Sequence, residues 1–204
     1  MTNTRHDHFF VSGKGSALVL LHSSMSSKEQ WQLLASRLKS TFKVIGIDLA
    51  GYGGSPFPKE PNLFTTGSET RLIRHMLDDI LPLGEPFHLA GHSFGGAIAL
   101  KLATAMPEQI LSLTLFEPVC FHLMNPKGLS FSRITQIVSA IDLAIRENDR
   151  ESATRLFIDY WSGAGTFEGL NRKNRLIFTR LIDKVALDFK ILFEENLTLD
   201  DYAK

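Results

Sequence analysis

The sequence predicts an α/β fold, in which a mostly parallel sheet is flanked by helices and is followed by a region of helices alone. Two observations lead to this prediction. Up to residue 118, short apolar runs of strand length alternate with amphipathic stretches at helical spacing, as in a parallel sheet covered by helices. From Pro118 onward, helical spacing continues and no strand-like run returns. We therefore expect an α/β core over residues 1–118 and a helical region over residues 119–204.

Four apolar runs in the first region have the length and composition of strands buried on both faces: residues 17–21, 43–47, 87–90 and 111–116. Helices are predicted between them. Residues 27–30, Ser-Lys-Glu-Gln, fit a capping box that opens a helix ending near residue 38. An amphipathic stripe predicts a helix over residues 68–81, and the nearly continuous apolar run 94–105 predicts a helix buried on most sides.

Length, charge and composition restrict the classes of function. The chain has 204 residues, 44% of them apolar, which suffices for one sizeable core. Lys plus Arg equals Asp plus Glu at 22 each, so no net charge attracts nucleic acid or an anionic membrane. The single cysteine, Cys120, fits a reducing compartment, and the polar residues 1–8 lack the apolar stretch of a signal peptide. We expect a cytoplasmic protein with neither a nucleic-acid nor a membrane partner.

Residues 91–95, Gly-His-Ser-Phe-Gly, form a G-x-S-x-G motif, the pattern of a nucleophile elbow. The motif directly follows a predicted buried strand and directly precedes a predicted helix, which is the context that such an elbow requires. A serine on so sharp a turn has a strained backbone, and the flanking glycines avoid a steric clash. We therefore expect Ser93 to be a catalytic nucleophile. The alternative is an ordinary strand-to-helix turn with an incidental serine.

The loop after the first buried strand, residues 22–25, supplies the second part of a predicted acyl-transfer site. Such a site needs two backbone amides aimed at the developing oxyanion. One amide is expected from Phe94, the residue after the nucleophile, and the other from Ser24. Both loops follow the carboxyl ends of parallel strands, where α/β sheets bind their ligands. An ordinary polar loop between strand and helix is the alternative for residues 22–25.

Three motifs together resemble those of the α/β-hydrolase superfamily, in its capped serine esterase and carbon–carbon hydrolase-like branch: His-Ser-Ser at 22–24, Asp-Leu-Ala-Gly-Tyr-Gly-Gly-Ser at 48–55, and Gly-His-Ser-Phe-Gly-Gly at 91–96. The resemblance extends from about Phe9 to the C-terminus. It implies an α/β-hydrolase-type sheet and a helical cap over the nucleophile, which excludes water and shapes substrate choice. Members of the superfamily that dehalogenate alkanes or open epoxides use an aspartate nucleophile, so Ser93 argues against both activities.

The resemblance also implies parts that this sequence is expected to lack. In the family, the catalytic acid follows the seventh strand and the histidine follows the eighth. The sequence stops where the cap would lead into that seventh strand, and no histidine lies beyond His122. Glu117 as acid and His122 as base are possible substitutes, against the alternatives of a loop glutamate and a pocket-lining or surface histidine. The side chain of His92 is expected to point away from the Ser93 hydroxyl, and no metal-ligand set is present.

The sequence thus predicts a cofactor-independent serine hydrolase of an ester or related carbonyl compound, acting through an acyl-enzyme at Ser93. Apolar side chains of the helical region predict a small hydrophobic substrate: Phe121, Leu123, Met124, Phe157 and Trp161. Two alternatives stay open. One is a catalytically incomplete fragment that serves as a binding or interaction module, and the other is an acyltransferase or cofactor-free peroxidase on the same scaffold. The strand at 111–116 is expected to present an unpaired sheet edge, through which copies of the chain associate.

Overall fold

The computed structural model describes residues 4–5 and 7–203 and contains a six-stranded sheet in the order β1-β2-β4-β3-β5-β6. The strands are β1 (Thr4–Arg5), β2 (Phe9–Ser12), β3 (Ser16–Leu21), β4 (Phe42–Ile47), β5 (Phe87–His92) and β6 (Ile110–Phe116). The helices are α1 (Gln32–Leu38), α2 (Thr66–Ile80), α3 (Phe94–Ala105), α4 (Leu129–Arg146), α5 (Arg150–Ser162), α6 (Thr166–Gly169), α7 (Arg172–Phe193) and α8 (Leu199–Tyr202). Part of the polar N-terminal stretch behind the cytoplasmic expectation, residues 1–3 and 6, lies outside the described residues.

The prediction of a mostly parallel sheet is confirmed. Strands β3, β4, β5 and β6 pair in parallel, whereas β2 runs antiparallel to both β1 and β4. The end of β3 at Leu21 lies opposite Ile47 of β4 and Gly91 of β5, and His92 lies opposite Phe116 at the end of β6. The loops that follow these four strands therefore meet at one edge of the sheet.

Two apolar clusters cover the two faces of the sheet. Successive residues of β3 point to opposite faces. Val19 and Leu21 belong to the larger cluster, whereas Leu20 belongs to a smaller one that packs beneath α1. The larger cluster contains buried side chains of α2 and α3 and also of α4, α5 and α7. The helices after β6 are thus packed into the same core as the sheet.

The segment between β3 and α1 differs from the predicted capping-box helix. Residues Lys28–Trp31 form a 3-10 turn, and the α-helix begins only at Gln32. The reason is that two residues of the supposed box bond elsewhere. The Lys28 N–H donates to Asp48 Oδ1 at 2.6 Å, and Gln30 Oε1 accepts from the Ser23 N–H at 3.1 Å. These bonds fasten the loop after β3 to its neighbours at the expense of a regular first helical turn.

The helical region after β6 matches the absence of strands expected there. No strand follows Phe116 within residues 7–203, and none of the helices in that range is long and apolar enough to cross a membrane. Strand β6 pairs with β5 alone among the described strands. Its side chains are unusually open to solvent for a parallel strand, with Leu111 51% exposed and Phe116 59% exposed. The free edge of β6 therefore carries unpaired backbone groups beside apolar side chains.

We expect this edge to drive self-association, because an exposed and partly apolar edge strand is a template for pairing with another strand. Light scattering across a dilution series should show species larger than the 22.8 kDa monomer that decline on dilution. Leu111→Lys should weaken the association, since a charge on the edge strand opposes pairing. Leu83→Lys is the matched control, because Leu83 is 99% exposed but lies in the turn before β5. A strictly monomeric sample at every concentration would contradict this expectation.

Candidate active site

The turn at Ser93 has the backbone geometry of a strained elbow. Ser93 separates β5 from α3 with φ 53° and ψ −116°, a positive φ that is uncommon outside glycine. Its N–H donates to the Phe116 carbonyl at 3.0 Å, and its own carbonyl accepts the first bonds of α3, from Gly96 N at 2.9 Å and Ala97 N at 3.1 Å. The strain is thus maintained by hydrogen bonds to β6 on one side and to α3 on the other.

The glycines that flank Ser93 are required by close backbone contacts. A Cβ atom on Gly91 would lie 2.2 Å from the Gly95 carbonyl oxygen. A Cβ atom on Gly95 would lie 2.4 Å from the carbonyl oxygen of His22 and 2.5 Å from that of Leu21. Both clashes are with backbone, so no side-chain movement relieves them. The elbow is consequently pressed against the end of β3 and against the loop that carries Ser24.

A cavity of about 520 Å³ opens over Ser93 and is bounded mainly by apolar side chains and hydroxyl groups. Its polar lining consists of Ser23, Ser24, Ser26, His92, Ser93, Glu117, Ser162 and Thr166. Its apolar lining consists of Met25, Val119, Phe157, Ile158, Trp161, Leu170 and Phe178. A second, much smaller cavity of about 20 Å³ also borders Ser93 and Ser24 and has Asp188 in its wall. Helices α5 and α7 therefore form the walls opposite the sheet edge.

The structure brings some of the expected site residues together and leaves another apart. Ser93, Ser24 and Glu117 share the large cavity, and Phe94 is the fully buried first residue of α3. His122 instead borders a separate cavity of about 370 Å³ with Glu195 and residues 196–200. Its Nε2 lies 3.0 Å from the Tyr202 hydroxyl, and burial lowers the pKa of its imidazole. The geometry thus associates Glu117, and not His122, with Ser93.

His92 borders the same cavity as Ser93, and its ring nitrogens face Gln30 and Glu117. The Gln30 amide nitrogen lies 3.1 Å from His92 Nδ1, and because that amide can only donate, Nδ1 is the acceptor. The proton of a neutral ring then resides on Nε2, 4.0 Å from Glu117 Oε2. Burial lowers the pKa of His92 and outweighs the opposing effect of Glu117. The lone pair on His92 Nδ1 therefore already accepts a hydrogen bond from Gln30.

His22 and Asp48 hold the surrounding loops in place. His22 is fully buried, its Nδ1 bonds the Ser23 carbonyl at 2.7 Å, and its Nε2 accepts from the Leu49 N–H at 3.0 Å. Burial lowers the pKa of His22 to about 4, so the ring is neutral near pH 7. Asp48 Oδ2 accepts from the Gly54 N–H at 2.8 Å and from Lys28 Nζ at 2.5 Å. His22 and Asp48 thus fix the backbone of the loop that follows β4, and both have structural hydrogen-bonding roles.

A buried polar cluster behind Ser24 was not anticipated from the sequence. Lys184 and Asp188 lie one turn apart on α7, form an ion pair, and are each 1% exposed. Asp188 accepts hydrogen bonds from the Ser24 and Tyr52 hydroxyls, and burial raises its pKa. Glu69 of α2 completes the cluster at 4.0 Å from Lys184 Nζ. The available signal was a lysine and an aspartate four residues apart within a run of otherwise apolar residues, Val185, Ala186 and Leu187.

Comparisons with known proteins agree with this architecture. A family model for the alpha/beta hydrolase fold matches residues 16–187. A fluoroacetate dehalogenase from Burkholderia sp is 32% identical over 115 residues, which cover 56% of this chain and 38% of that protein. Lipase LipV from Mycobacterium tuberculosis is 32% identical over 129 residues, covering 62% of this chain and 44% of that protein. The chain thus spans less than half the length of these curated relatives.

A solved structure provides a similar result at the level of the fold. An alpha/beta hydrolase enzyme from a Medee basin deep-sea metagenome library superposes with a TM-score of 0.74 at 14% sequence identity. The match covers 95% of this chain and 70% of that chain. At this identity the likeness concerns the path of the backbone, and the chemistry has to be argued from the residues around Ser93.

The buried cluster generates a prediction about pH and stability. Burial raises the pKa of Glu69 from 4.5 to about 7. The folded protein therefore holds this proton more tightly than the unfolded chain, so the contribution of Glu69 to stability falls as pH rises from about 4.5 to about 7. At about 1.4 kcal/mol per pKa unit, the fall is on the order of 3 kcal/mol. Urea unfolding of Glu69→Gln at pH 5 and pH 8 should lack this loss.

Glu60→Gln is the control for that measurement, because Glu60 is exposed in the loop before α2 and should leave the pH dependence unchanged. Equal pH slopes for the wild type and Glu69→Gln would show that Glu69 ionises normally in the folded state and would contradict the prediction.

Proposed function

Because the chain belongs to the alpha/beta hydrolase fold family, we propose that it is a serine hydrolase that cleaves an ester or a related carbonyl compound through an acyl-enzyme. The main support is the position of Ser93, held at a positive φ at the start of α3 and opening into a cavity of about 520 Å³. A side chain presented at a strained turn, at the carboxyl edge of a parallel sheet, fits a nucleophile better than a structural serine.

In the proposed reaction, the Ser93 Oγ attacks the substrate carbonyl carbon and gives up its proton to a base. The carbonyl oxygen becomes an oxyanion, which the backbone N–H groups of Phe94 and Ser24 stabilise. Phe94 is the first residue of α3, and the first amides of a helix have no partner within it. The alcohol departs with a proton, and water then attacks the acyl-enzyme to release the acid and restore the Ser93 hydroxyl.

Three histidines considered as the base, His22, His92 and His122, are not placed to accept the Ser93 proton. The lone pairs of His22 and His92 are occupied by the N–H groups of Leu49 and Gln30. His122 borders a different cavity, as described above. We therefore propose that the base belongs to a polypeptide segment outside residues 7–203 or to a partner chain, and that Glu117 contributes charge at the cavity and not proton transfer.

Dehalogenation is disfavoured by the chemistry of the nucleophile. The Burkholderia relative is named for fluoroacetate. If a serine oxygen displaced fluoride from carbon, the product on the enzyme would be an ether, in which the serine oxygen is not attached to a carbonyl carbon, so water could not release the product by attack at such a carbon. A carboxylate nucleophile would instead form an ester that water can hydrolyse. Ser93 therefore fits substrates that already contain the carbonyl group.

The proposal is tested by labelling Ser93 with a neutral alkyl fluorophosphonate, located by peptide mass spectrometry. Since the base is proposed to be absent, we expect slow labelling of the wild type and a clear acceleration by added imidazole, which replaces the missing proton acceptor. Ser93→Ala is the control and should remain unlabelled with and without imidazole. A folded chain that resists labelling even with imidazole would contradict the proposal and favour a binding module.

The charge of the cavity leads to a prediction about substrate class. Its lining includes the carboxylate of Glu117 and, within the described residues, no lysine or arginine. We expect a probe with a neutral alkyl tail to label Ser93 faster than an equally long probe ending in a carboxylate. The Glu117 side chain is 75% exposed, so screening limits this electrostatic part to a few-fold.

Glu117→Gln should reduce the discrimination between the two probes. Glu108→Gln is a matched control, because Glu108 is also exposed but lies at the opposite end of β6, in the 3-10 turn Pro107–Gln109. Preferential labelling by the anionic probe would overturn the assignment of a neutral, apolar substrate.

A further inference from the structure

Helix α7 contacts both residues that the proposed function assigns to the oxyanion hole. Its buried pair, Lys184 and Asp188, lies on the side of the helix that faces the sheet edge. Asp188 bonds the Ser24 side chain, and the Lys184 ammonium lies over the Phe94 ring. Ser24 lies in the loop after β3 and Phe94 begins α3, 70 positions later in sequence, so one helix bridges the two halves of the site.

The Asp188 contact fixes the direction of the Ser24 hydroxyl. Ser24 Oγ donates to Asp188 Oδ2 at 2.6 Å, and the Tyr52 hydroxyl donates to the same oxygen at 2.5 Å. Because the Ser24 hydroxyl proton is used in this bond, the side chain is not the donor to an oxyanion, and the backbone N–H is left for that role. The next residue, Met25, has a φ of 57°, so the loop is held in a conformation that costs energy.

The Lys184 contact fixes the other half of the site. Its Nζ lies 4.6 Å from the centre of the Phe94 ring and 4.7 Å from the centre of the Tyr52 ring. These distances are within the range of cation–π attraction, which strengthens when water is excluded. The ammonium therefore restrains the side chain of the first residue of α3, directly after Ser93.

Stability alone does not account for a buried ion pair at this position. Removing two charges from water costs several kcal/mol per ion, and a well-packed apolar pair of similar volume is often as stable or more so. The other buried residues of α7, such as Val185 and Leu187, are apolar, so an apolar pair would continue that face of the helix. Directional bonds to Ser24 and Tyr52 are what the charged pair supplies and an apolar pair would not.

We propose that the Lys184–Asp188 pair is a positioning device that aligns Ser24 and Phe94 as one oxyanion hole, so that the hole forms only when α7 is seated against the sheet edge. This inference rests on the proposed function of Ser93. Lys184 and Asp188 act through their contacts and do not touch the substrate carbonyl themselves.

The first test is Ser24→Ala, which deletes the hydroxyl and keeps the backbone N–H. Labelling by the neutral fluorophosphonate, with imidazole present, should show a maximal rate lower by on the order of tenfold to a hundredfold. The probe concentration at half-maximal rate should change by less than about twofold, since only the reacting geometry is disturbed. Ser24→Thr retains a hydroxyl and should restore most of the rate. An unchanged rate in Ser24→Ala would overturn the proposal.

The second test removes both charges and the acceptor oxygen together, as Lys184→Met with Asp188→Leu. Every protein in this comparison also carries Glu69→Gln, because Glu69 lies 4.0 Å from Lys184 Nζ and would otherwise lose its buried cation. We expect a folded protein with the same loss of rate as Ser24→Ala, and no further loss when the three substitutions are combined. If the Ser24 hydroxyl were itself the oxyanion donor, releasing it from Asp188 would leave the rate unchanged or raise it, which would refute the positioning role. Asp183→Asn, on the same helix but in an exposed pair with Arg150, is the control and should label normally.

A separate measurement distinguishes failure of this inference from failure of the proposed function. If Ser93 is not labelled in any form of the chain, hydrogen exchange of the peptides covering residues 22–27 and 93–98 still reports their alignment. We expect faster exchange in both peptides for the double variant than for Asp183→Asn. Equal exchange in the two proteins would overturn the inference whatever the reactivity of Ser93.

Discussion

The contact between the elbow and the end of β3 sets the spacing on which the rest of the site depends. Gly95 approaches the backbone of Leu21 and His22 so closely that even a methyl group at residue 95 does not fit. Backbone packed on backbone cannot adjust as side chains can, so the separation between Ser93 and the Ser24 loop is determined by the parallel pairing of β3 with β5. The cavity over Ser93 and the hydrogen bond from Ser24 to Asp188 both depend on this fixed separation between Ser93 and the Ser24 loop.

The sheet and the elbow were predictable because they depend on local sequence patterns. Runs such as 17–21 and 87–90 have the length and composition of buried strands, and each became part of the parallel sheet. The glycines around Ser93 indicate a tight turn through the absence of a side chain, which is likewise a local property. The motifs after β3, β4 and β5 share one sheet edge because parallel strands end together.

The polar partners could not be predicted because they join residues that are distant in sequence. Ser24 and Asp188 are 164 positions apart, and neither periodicity nor composition pairs them. In the same way, the capping box at 27–30 has the right residue types, yet Gln30 bonds Ser23 and His92 once the fold brings them near. Tertiary hydrogen bonds thus replace the local bond that a capping box would have formed.

The shared core of sheet and helices bears on how a substrate would enter. Ile134, Phe167 and Ile182 are buried in the same cluster as Val19 and Leu89, so the helices after β6 share apolar core with the sheet. Lifting them as a rigid unit would expose the shared part of that core to water, at a cost in free energy that grows with the apolar area exposed. Rotamer changes of the side chains at the mouth of the cavity would expose less apolar surface than movement of whole helices. The rate at which a ligand enters and leaves would then depend on local side-chain motion and not on a hinge.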